Sequence, residues 1–284
     1  MLTGLLAALA SALLFGLAAV WQALAVRNHE DETSSPTGFA RMALTSPLLL
    51  AVVAVYLAGF LLHAVAIWNL PLYLAQATIS LSMPVTALWS AHRLHEPLGG
   101  RGWIAVLAVT VGIALVAAGA GAPGRDPSGW TVPVLSWAVV AVCLGVGLAL
   151  VRGHRMVTLG FLAGCGYAGS AVAVRGVTAT WSPEVVVTAL AVPALGVVSF
   201  WLYSVSLDGV EVTTSTAALI IAETFLPAAV GVGLLHDGIR PGWWPAVIAG
   251  MVLSVAGAVL LAGASRVTAA LRERAVLDAR AGGS

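Results

Sequence analysis

The chain has 284 residues, 60% of them hydrophobic and 9% charged, with a mean hydropathy of +0.99 and a formal net charge of +1. This composition excludes a water-facing globular surface, so the bilayer must be the solvent. All 13 basic residues are arginine. The absence of lysine excludes a Walker A nucleotide site and a Schiff-base enzyme. Cys143 and Cys165 lie inside apolar runs and are interpreted as packing residues.

The sequence predicts an all-α polytopic membrane helix bundle of about nine transmembrane helices. Each apolar segment is long enough to span the hydrocarbon layer as a helix, and the continuous Ala/Leu/Val runs lack the alternation of a β-barrel. The first segment resembles a secretory signal, but no positive charge precedes it and it exceeds an h-region of about 7–15 residues. It is therefore interpreted as a span. The predicted spans are 2–26, 43–68, 71–91, 102–120, 131–151, 156–178, 184–206, 211–235 and 242–263.

The distribution of arginine predicts the orientation in the membrane. With nine spans, ten arginines fall on the side of the C-terminus and three, Arg125, Arg175 and Arg240, on the other. Positively charged loops stay cytoplasmic. The sequence therefore predicts a multi-pass protein of the cell (inner or plasma) membrane, with its N-terminus outside and its C-terminus in the cytoplasm.

An internal repeat relates the two ends of the chain. Residues 74–94 carry Pro84 and precede a small-residue segment at 109–119, and residues 212–235 carry Pro227 and precede a similar segment at 253–263. Spans 1–4 thus match spans 6–9, and an offset of five spans inverts one half relative to the other. The predicted units are a first repeat at 1–120, a linking helix at 121–155, a second, inverted repeat at 156–263 and a cytoplasmic tail at 264–284.

The repeat and its local motifs resemble the drug/metabolite transporter (DMT) superfamily, and within it the EamA-like and NIPA-like branch. The resemblance implies a secondary transporter or facilitator whose two halves rock around a central cavity. Common ten-helix members repeat 5+5, whereas this chain repeats 4+1+4, closer to the NIPA-like pattern. Small multidrug relatives use a glutamate in the first helix, yet residues 2–26 contain no acid. The matching stretches are 60–66, 71–76, 84–96 with Gly112, 208–212 and 227–233.

Glu223 is the strongest candidate for a functional residue. It lies about 18 Å along a helix that starts near Glu211, which is close to the middle of the bilayer. A carboxylate at that depth is costly and marks an ion, proton or substrate pathway, with Thr224 beside it. The alternative is a protonated glutamate that hydrogen-bonds a neighbouring helix as a structural residue.

Arg175 and His63 are the other embedded titratable residues. Arg175 lies near the outer end of its span, where it either snorkels to the headgroups or binds an anionic group. By helix rise its depth differs from that of Glu223 by roughly 10 Å, a gap that two side chains could just bridge. For His63, a hydrogen-bonded packing role and a place in the pathway both stay open.

Polar residues and prolines complete the predicted pathway. Gln76 and Ser80, four residues apart, share a face of the third span, and Gln22 lies in the first span. Pro84 and Pro227 are predicted helix kinks, each of which frees a backbone carbonyl. The segment 92–96 lacks a catalytic zinc pattern. No metal site, cofactor or nucleic-acid partner is predicted, and no paired carboxylates or nucleophile with a base indicate an enzyme.

The leading hypothesis is a gradient-driven or passive secondary transporter of a small metabolite, amphiphile or cation that works by alternating access. One alternative is a flippase for a lipid-linked cell-envelope intermediate, with Arg175 near the outer headgroups. Another is a non-transporting membrane scaffold subunit with a packed interior. Magnesium, which the NIPA-like pattern suggests, has weak support because its sites want one or two carboxylates and Glu223 is the one deep in a span. Expected partners are a small-molecule, ion or lipid substrate and membrane lipids, and a homodimer is one assembly left open.

Overall fold

The computed structural model describes residues 1–27, 46–93, 99–124, 129–152, 155–206 and 212–281. Within these ranges the chain is helical and forms no strand, which confirms the all-α polytopic fold class. The helices are α1 (Leu2–Arg27), α2 (Pro47–Asn69), α3 (Leu72–Ile79), α4 (Ser82–Arg93), α5 (Gly100–Ala118), α6 (Thr131–Arg152), α7 (Met156–Gly176), α8 (Pro183–Ser206), α9 (Val212–Gly233) and α10 (Trp244–Ala281).

The protein is a multi-pass membrane protein. Six of the described helices are long and apolar enough to cross a bilayer, and the apolar stretches Leu2–Ala18 and Ala218–Gly233 are shorter. Many large apolar side chains point out of the bundle, as Leu61, Leu107 and Val197 do at 65%, 63% and 71% exposure. Such an outer surface is unfavourable in water and favourable in lipid. The total of nine spans stays a prediction.

The third predicted span is not one helix. It divides into α3 and α4 at a turn formed by Ser80 and Leu81. Pro84 therefore lies in the first turn of α4, where the missing N–H removes no helical hydrogen bond, and the predicted kink is instead a break just before it. Pro227, by contrast, lies inside the continuous helix α9. A further proline that the sequence analysis did not select, Pro193, lies inside α8.

The helices pack both within and between the two halves of the predicted 4+1+4 repeat. In the first half α1 packs against α2 and α4, and in the second half α7 packs against α8 and α9. The linking helix α6 lies against α7 and α8. The halves meet where α5 packs along α10, where α3 packs along α9, and where α2 contacts α7. The inverted repeat itself stays a prediction, and these contacts define the surfaces across which its halves would move.

Glycines bring α5 and α10 into backbone contact. A Cβ atom at Gly112 would lie 2.6 Å from the carbonyl oxygen of Gly250, and a Cβ at Gly250 would lie 2.6 Å from that of Gly112. A Cβ atom at Gly257 would likewise lie 2.9 Å from the carbonyl oxygen of Ala105. Helices in lipid gain little from hydrophobic burial, so close packing of small residues is a main source of their association.

The last helix is longer than its predicted span. α10 has 38 residues and continues through the predicted tail to Ala281. At 1.5 Å per residue its length is about 57 Å, whereas the hydrocarbon core is about 30 Å thick. The arginine-rich end of α10 therefore projects beyond the apolar layer.

The contact between α5 and α10 predicts a position-dependent effect of valine. Gly250→Val should destabilise the protein by about 1–3 kcal/mol, because the added carbons displace the backbone of α5. Gly145→Val on α6 is the matched control, since a Cβ there meets no atom within 4 Å, and its effect should stay near 0.5 kcal/mol. Thermal unfolding of the detergent-solubilised variants measures both. Equal losses for the two variants would contradict this account of the interface.

Candidate functional site

Glu223 lies near the middle of α9, ten residues before the helix ends at Gly233. By helix rise this is about 15 Å below that end of the bundle. The residue is half-buried. Its side chain forms no hydrogen bond with another residue in the part of the chain that the structure describes.

Tyr167 is the tyrosine that interacts with Glu223. The phenol of Tyr167 on α7 lies within electrostatic range of the Glu223 carboxyl group and of the phenols of Tyr56 and Tyr203. Tyr56 on α2 and Tyr203 on α8 also interact with each other. All three tyrosines are half-buried. Tyr167 therefore links Glu223 to tyrosines on helices of both predicted halves.

Pro227 adds a backbone acceptor at the same residue. A proline inside a helix cannot donate to the carbonyl four residues earlier, and four residues before Pro227 stands Glu223 itself. Glu223 therefore offers both a carboxylate and a carbonyl oxygen that lacks its helical donor. Aligning Pro84 with Pro227 places Ser80 at the position of Glu223, and Ser80 lies at the break between α3 and α4. The predicted repeat thus interrupts helical hydrogen bonding at corresponding points in both halves.

His63 and Gln76 form a buried polar pair between α2 and α3. Their side chains are 6% and 2% exposed, and 3.3 Å separates the Nε2 atoms of the two residues. His63 Nδ1 is buried without a hydrogen-bond partner among the described residues. The ring of Phe15 packs edge-on against the ring of His63, with 6.4 Å between the ring centroids. The centroid of the Tyr56 ring lies 6.1 Å from that of Phe15. Phe15 is thus close to both His63 and Tyr56, and Tyr56 interacts electrostatically with Tyr167.

The structure distributes the other predicted pathway residues unevenly. Thr224 is buried at 4% exposure next to Glu223, and Ser80 is buried at 5% at the end of α3. The backbone of Gln22 belongs to α1, but its side chain lies outside the described residues. Glu223, Thr224 and the tyrosines therefore form one group, and His63, Gln76 and Ser80 lie around the broken third span.

Arg175 does not pair with Glu223. Its side chain is 1% exposed, and Nη2 forms a salt bridge with Oδ1 of Asp237 at 3.2 Å, whose side chain is fully buried. Nη2 also donates to the carbonyl of Gly124 at 3.4 Å. The guanidinium therefore neither snorkels to the headgroups nor presents itself to an anionic ligand, as the sequence analysis considered. Its Nε is buried with no hydrogen-bond partner in the described ranges.

The ion pair caps the gap between α2 and α3. Nη1 of Arg175 donates to the carbonyls of Ile67 and of Leu70, the latter at 2.8 Å. The carboxylate of Asp237 accepts the N–H of Leu72, the first residue of α3, at 2.5 Å. A helix end leaves carbonyls without donors and a helix start leaves N–H groups without acceptors. The guanidinium donates to the free carbonyls and the carboxylate accepts from the free N–H group. The helix dipoles favour this arrangement, with the cation at a helix end and the anion at a helix start.

Backbone groups around the ion pair hold the same two regions together. Tyr73 donates its hydroxyl to the carbonyl of Gly238 at 2.8 Å, and Trp68 donates its indole N–H to Val174 at 2.8 Å. Residues Ala120 and Ile239 pair as a short antiparallel bridge. Three backbone hydrogen bonds join the two segments. The N–H groups of Gly121, Gly238 and Arg240 donate to the carbonyl oxygens of Gly238, Ala122 and Gly119, respectively. We call this assembly, with Arg175 and Asp237 at its centre, the end cluster.

Two glycines make room for Asp237. A Cβ at Gly231 would lie 2.5 Å from Oδ2 of Asp237, and a Cβ at Gly124 would lie 1.9 Å from the carbonyl oxygen of Leu235. The turn that carries the aspartate is tight, since His236 has a φ of 59° in the left-handed region. The carboxylate reaches the start of α3 because α9 ends in this turn and Gly231 has no side chain.

Sequence reasoning missed Asp237 and the three tyrosines. Asp237 lies in the short connection between the last two predicted spans and carries no motif. A signal was present, because an arginine buried at a span end needs an acid at the same depth, and Asp237 is predicted on the same side as Arg175. For the tyrosines no comparable signal exists, since each stands alone in an apolar helix.

The described residues contain no group of three His, Cys, Asp or Glu side chains that could hold a metal ion. The central group can instead bind a proton or a single cation at the carboxylate and donate hydrogen bonds from phenols. No family model matches this chain, and no curated protein or solved structure shows significant similarity to it.

The pair of His63 and Gln76 predicts a measurable coupling. His63→Leu and Gln76→Leu should each destabilise the protein, since each leaves a buried polar partner unsatisfied at about 1–3 kcal/mol. The double variant should lose less than the sum, with a coupling of about 0.5–1.5 kcal/mol. Thermal unfolding in detergent measures the cycle. Thr110→Val is the control, because Thr110 is exposed and donates only within its own helix. Strict additivity would show that the two side chains do not interact.

Proposed function

We propose that this protein is a secondary transporter that moves a small metabolite, amphiphile or cation across the membrane by alternating access. The observation that carries the proposal is the carboxyl group of Glu223, which lies at the middle of α9 and has no hydrogen-bond partner among the described residues. The helix α9 packs against α7 of the second predicted half and against α3 of the first.

The physical argument rests on the cost of an unpaired carboxylate at mid-membrane. An ionisable group in that position is unfavourable by several kcal/mol unless it is neutralised, paired or hydrated. Here the carboxyl group has no hydrogen-bond partner among the described residues, and the phenol of Tyr167 lies within electrostatic range of it. A bound proton or a cationic substrate would neutralise it. That exchange is the elementary step of a gradient-driven carrier, and its energy would come from the gradient.

Two features bear on the other hypotheses. A lipid-linked flippase would use Arg175 at the outer headgroups, whereas the guanidinium is 1% exposed and engaged with Asp237 and backbone carbonyls. A scaffold subunit would have a packed interior in which such a group has a fixed partner, whereas the side chain of Glu223 forms no hydrogen bond with the described residues. The resemblance to the drug/metabolite transporter superfamily, as an expectation, agrees with transport.

The test is flux through vesicles that contain the purified protein. Uptake and export of labelled amino acids, amines, sugars and inorganic cations are measured at several external pH values for the wild type and Glu223→Gln. We expect the wild type to transport at least one substrate in a pH-dependent way. The flux through the Glu223→Gln variant should be more than about tenfold lower, because glutamine cannot exchange a proton or neutralise a cation.

Glu184→Gln is the matched control. Glu184 is a carboxylate at the start of α8, at the end of a helix and not in its middle as Glu223 is. Its replacement should leave the flux within about twofold of the wild-type value. A wild-type protein that moves no member of the panel, or a Glu223→Gln variant with the full pH-dependent flux, would contradict the proposal and favour the lipid or scaffold hypothesis.

The proposed location is the cell membrane, with the N-terminus outside and the C-terminus in the cytoplasm. A fluorescent protein fused after Ser284 should fluoresce, because this reporter folds in the cytoplasm. A periplasmic phosphatase fused at the same place should be inactive, because it folds only outside the cytoplasm. The phosphatase inserted after Arg240, between α9 and α10, should be active. The opposite pattern at both positions would reverse the orientation that the arginine distribution predicts.

A further inference from the structure

We propose that a sodium ion binds between the carboxylate of Glu223 and the end of the interrupted helix α3. The role of this ion rests on the proposed function, because it would be the ion whose gradient drives transport. The site itself depends on the packing of α3, α7 and α9, which brings oxygen atoms from two helices to one depth in the bundle. We call the position bounded by Glu223, Ser80 and Thr224 the cation site.

The register of α3 against α9 places Ser80 at the depth of Glu223. A Cβ atom at Gly231 would lie 3.0 Å from the Cβ of Leu72, so the end of α9 meets the start of α3 at the end cluster. The two helices pack along each other from this contact and therefore run antiparallel. Eight residues onward from Leu72 is Ser80, and eight residues back from Gly231 is Glu223. At 1.5 Å per residue, each lies about 12 Å from the first contact.

The two neighbours of Glu223 in the sequence show where its side chain lies. Thr224 comes two helical turns before Gly231, so it belongs to the face of α9 that meets α3. Ala222 belongs to the face that meets α7, because a Cβ at Gly164 would lie 2.8 Å from the Cβ of Ala222. Glu223 projects between these two faces. Its carboxylate is therefore in the wedge between α3 and α7.

The carboxylate and the end of α3 point the same way. A helical side chain tilts towards the N-terminus of its own helix, so that of Glu223 extends towards the start of α9. The carbonyls of α3 point towards its C-terminus, which is the same direction because the helices are antiparallel. The last carbonyl of α3, that of Ile79, has no further helical turn beyond it, since the chain leaves the helix at Ser80 and Leu81. Acceptors from both helices thus converge just beyond the end of α3.

The electrostatics of the cation site favour a positive charge. The C-terminus of a helix carries a partial charge of about −0.5, which adds to the charge of the carboxylate. Arg175 does not offset this potential, because its salt bridge with Asp237 already neutralises it. In membrane transporters with discontinuous helices, unwound carbonyls and the C-terminal ends of half-helices coordinate cations in this way.

The composition of the cation site favours a small monovalent ion. One carboxylate balances one positive charge, whereas a divalent ion would leave a net charge in the bilayer at high cost. Mg²⁺ also keeps several waters when it is held through so few carboxylates. The neutral ligands are the hydroxyls of Ser80 and Thr224 and the carbonyl of Ile79. Because Ser80 and Thr224 are both buried, a bare metal ion fits between them better than a larger organic cation.

Binding of radioactive sodium to the purified protein tests the cation site without any transport substrate. The detergent-solubilised protein is equilibrated with labelled Na⁺ in choline chloride at one pH. We expect saturable binding of about one ion per protein, which unlabelled Na⁺ displaces and choline does not. Glu223→Gln should weaken this binding by more than about tenfold, because the variant keeps the size of the side chain and loses its charge.

Thr224→Val and Ser80→Ala test the neutral ligands. Each variant removes one hydroxyl and should weaken Na⁺ binding by about three- to tenfold, the usual contribution of one polar contact. Thr110→Val is the matched control, because Thr110 is exposed and its hydroxyl donates within its own helix. Its affinity for Na⁺ should equal that of the wild type.

Three results would overturn the cation site in folded, monodisperse protein. The first is the absence of saturable Na⁺ binding by the wild type. The second is a Glu223→Gln variant that binds Na⁺ as tightly as the wild type. The third is wild-type affinity in both hydroxyl variants, which would show that the end of α3 and the facing side of α9 do not hold the ion.

Vesicle flux separates the cation site from the proposed function. When choline replaces Na⁺, the flux of the transported substrate should fall by more than about tenfold. A protein that binds Na⁺ but moves no member of the panel would refute the transporter and keep the site. A protein that transports equally well without Na⁺ and does not bind it would keep the transporter and refute the site. Sodium binding with a flux that ignores Na⁺ would refute the role of the ion in driving transport.

Discussion

The salt bridge between Arg175 and Asp237 is the interaction on which the arrangement of the two halves depends. A helix that stops inside a bundle and restarts leaves carbonyl and N–H groups that lipid cannot satisfy. The chain meets this requirement with two side chains from the other predicted half. The guanidinium of Arg175 donates hydrogen bonds to carbonyls at the end of α2, and the carboxylate of Asp237 accepts one from the N–H group at the start of α3. The break in the first half is therefore stable only while the second half is in contact with it.

The central carboxylate is held in the opposite way. Arg175 and Asp237 satisfy each other and are buried, whereas Glu223 forms no side-chain hydrogen bond with the described residues and has the phenol of Tyr167 nearby. A fixed ion pair stabilises one arrangement, and an unpaired carboxylate can change its charge by binding a proton or a cation. This difference between the two sites is the physical reason for proposing Glu223, and not Arg175, as the transport residue.

The outcome of the sequence analysis differed with the type of evidence behind each inference. The all-α bundle followed from hydropathy and was correct, and Glu223 was found because a carboxylate in an apolar helix is visible in the sequence. The partner of Arg175 was not found, because Asp237 lies in a short connection outside the predicted spans, and helix rise estimates the depth of a residue in the membrane only to several ångströms. The break at Ser80 and Leu81 was assigned to Pro84, since proline is the conspicuous residue although it fits the first turn of a helix without cost.

By itself the sequence determined that this chain is a helical bundle in a membrane, where most of its helices begin, and that Glu223 lies within an apolar helix. These properties depend on the transfer of segments from water to lipid, which is local in the chain. Only the tertiary structure decided that Asp237 and not Glu223 pairs with Arg175, that the third span is divided and that Tyr167 lies near Glu223. Such contacts depend on which helix faces meet and on glycines, as at Gly231, that let a backbone approach a carboxylate, and neither is recorded in the hydropathy of any one segment.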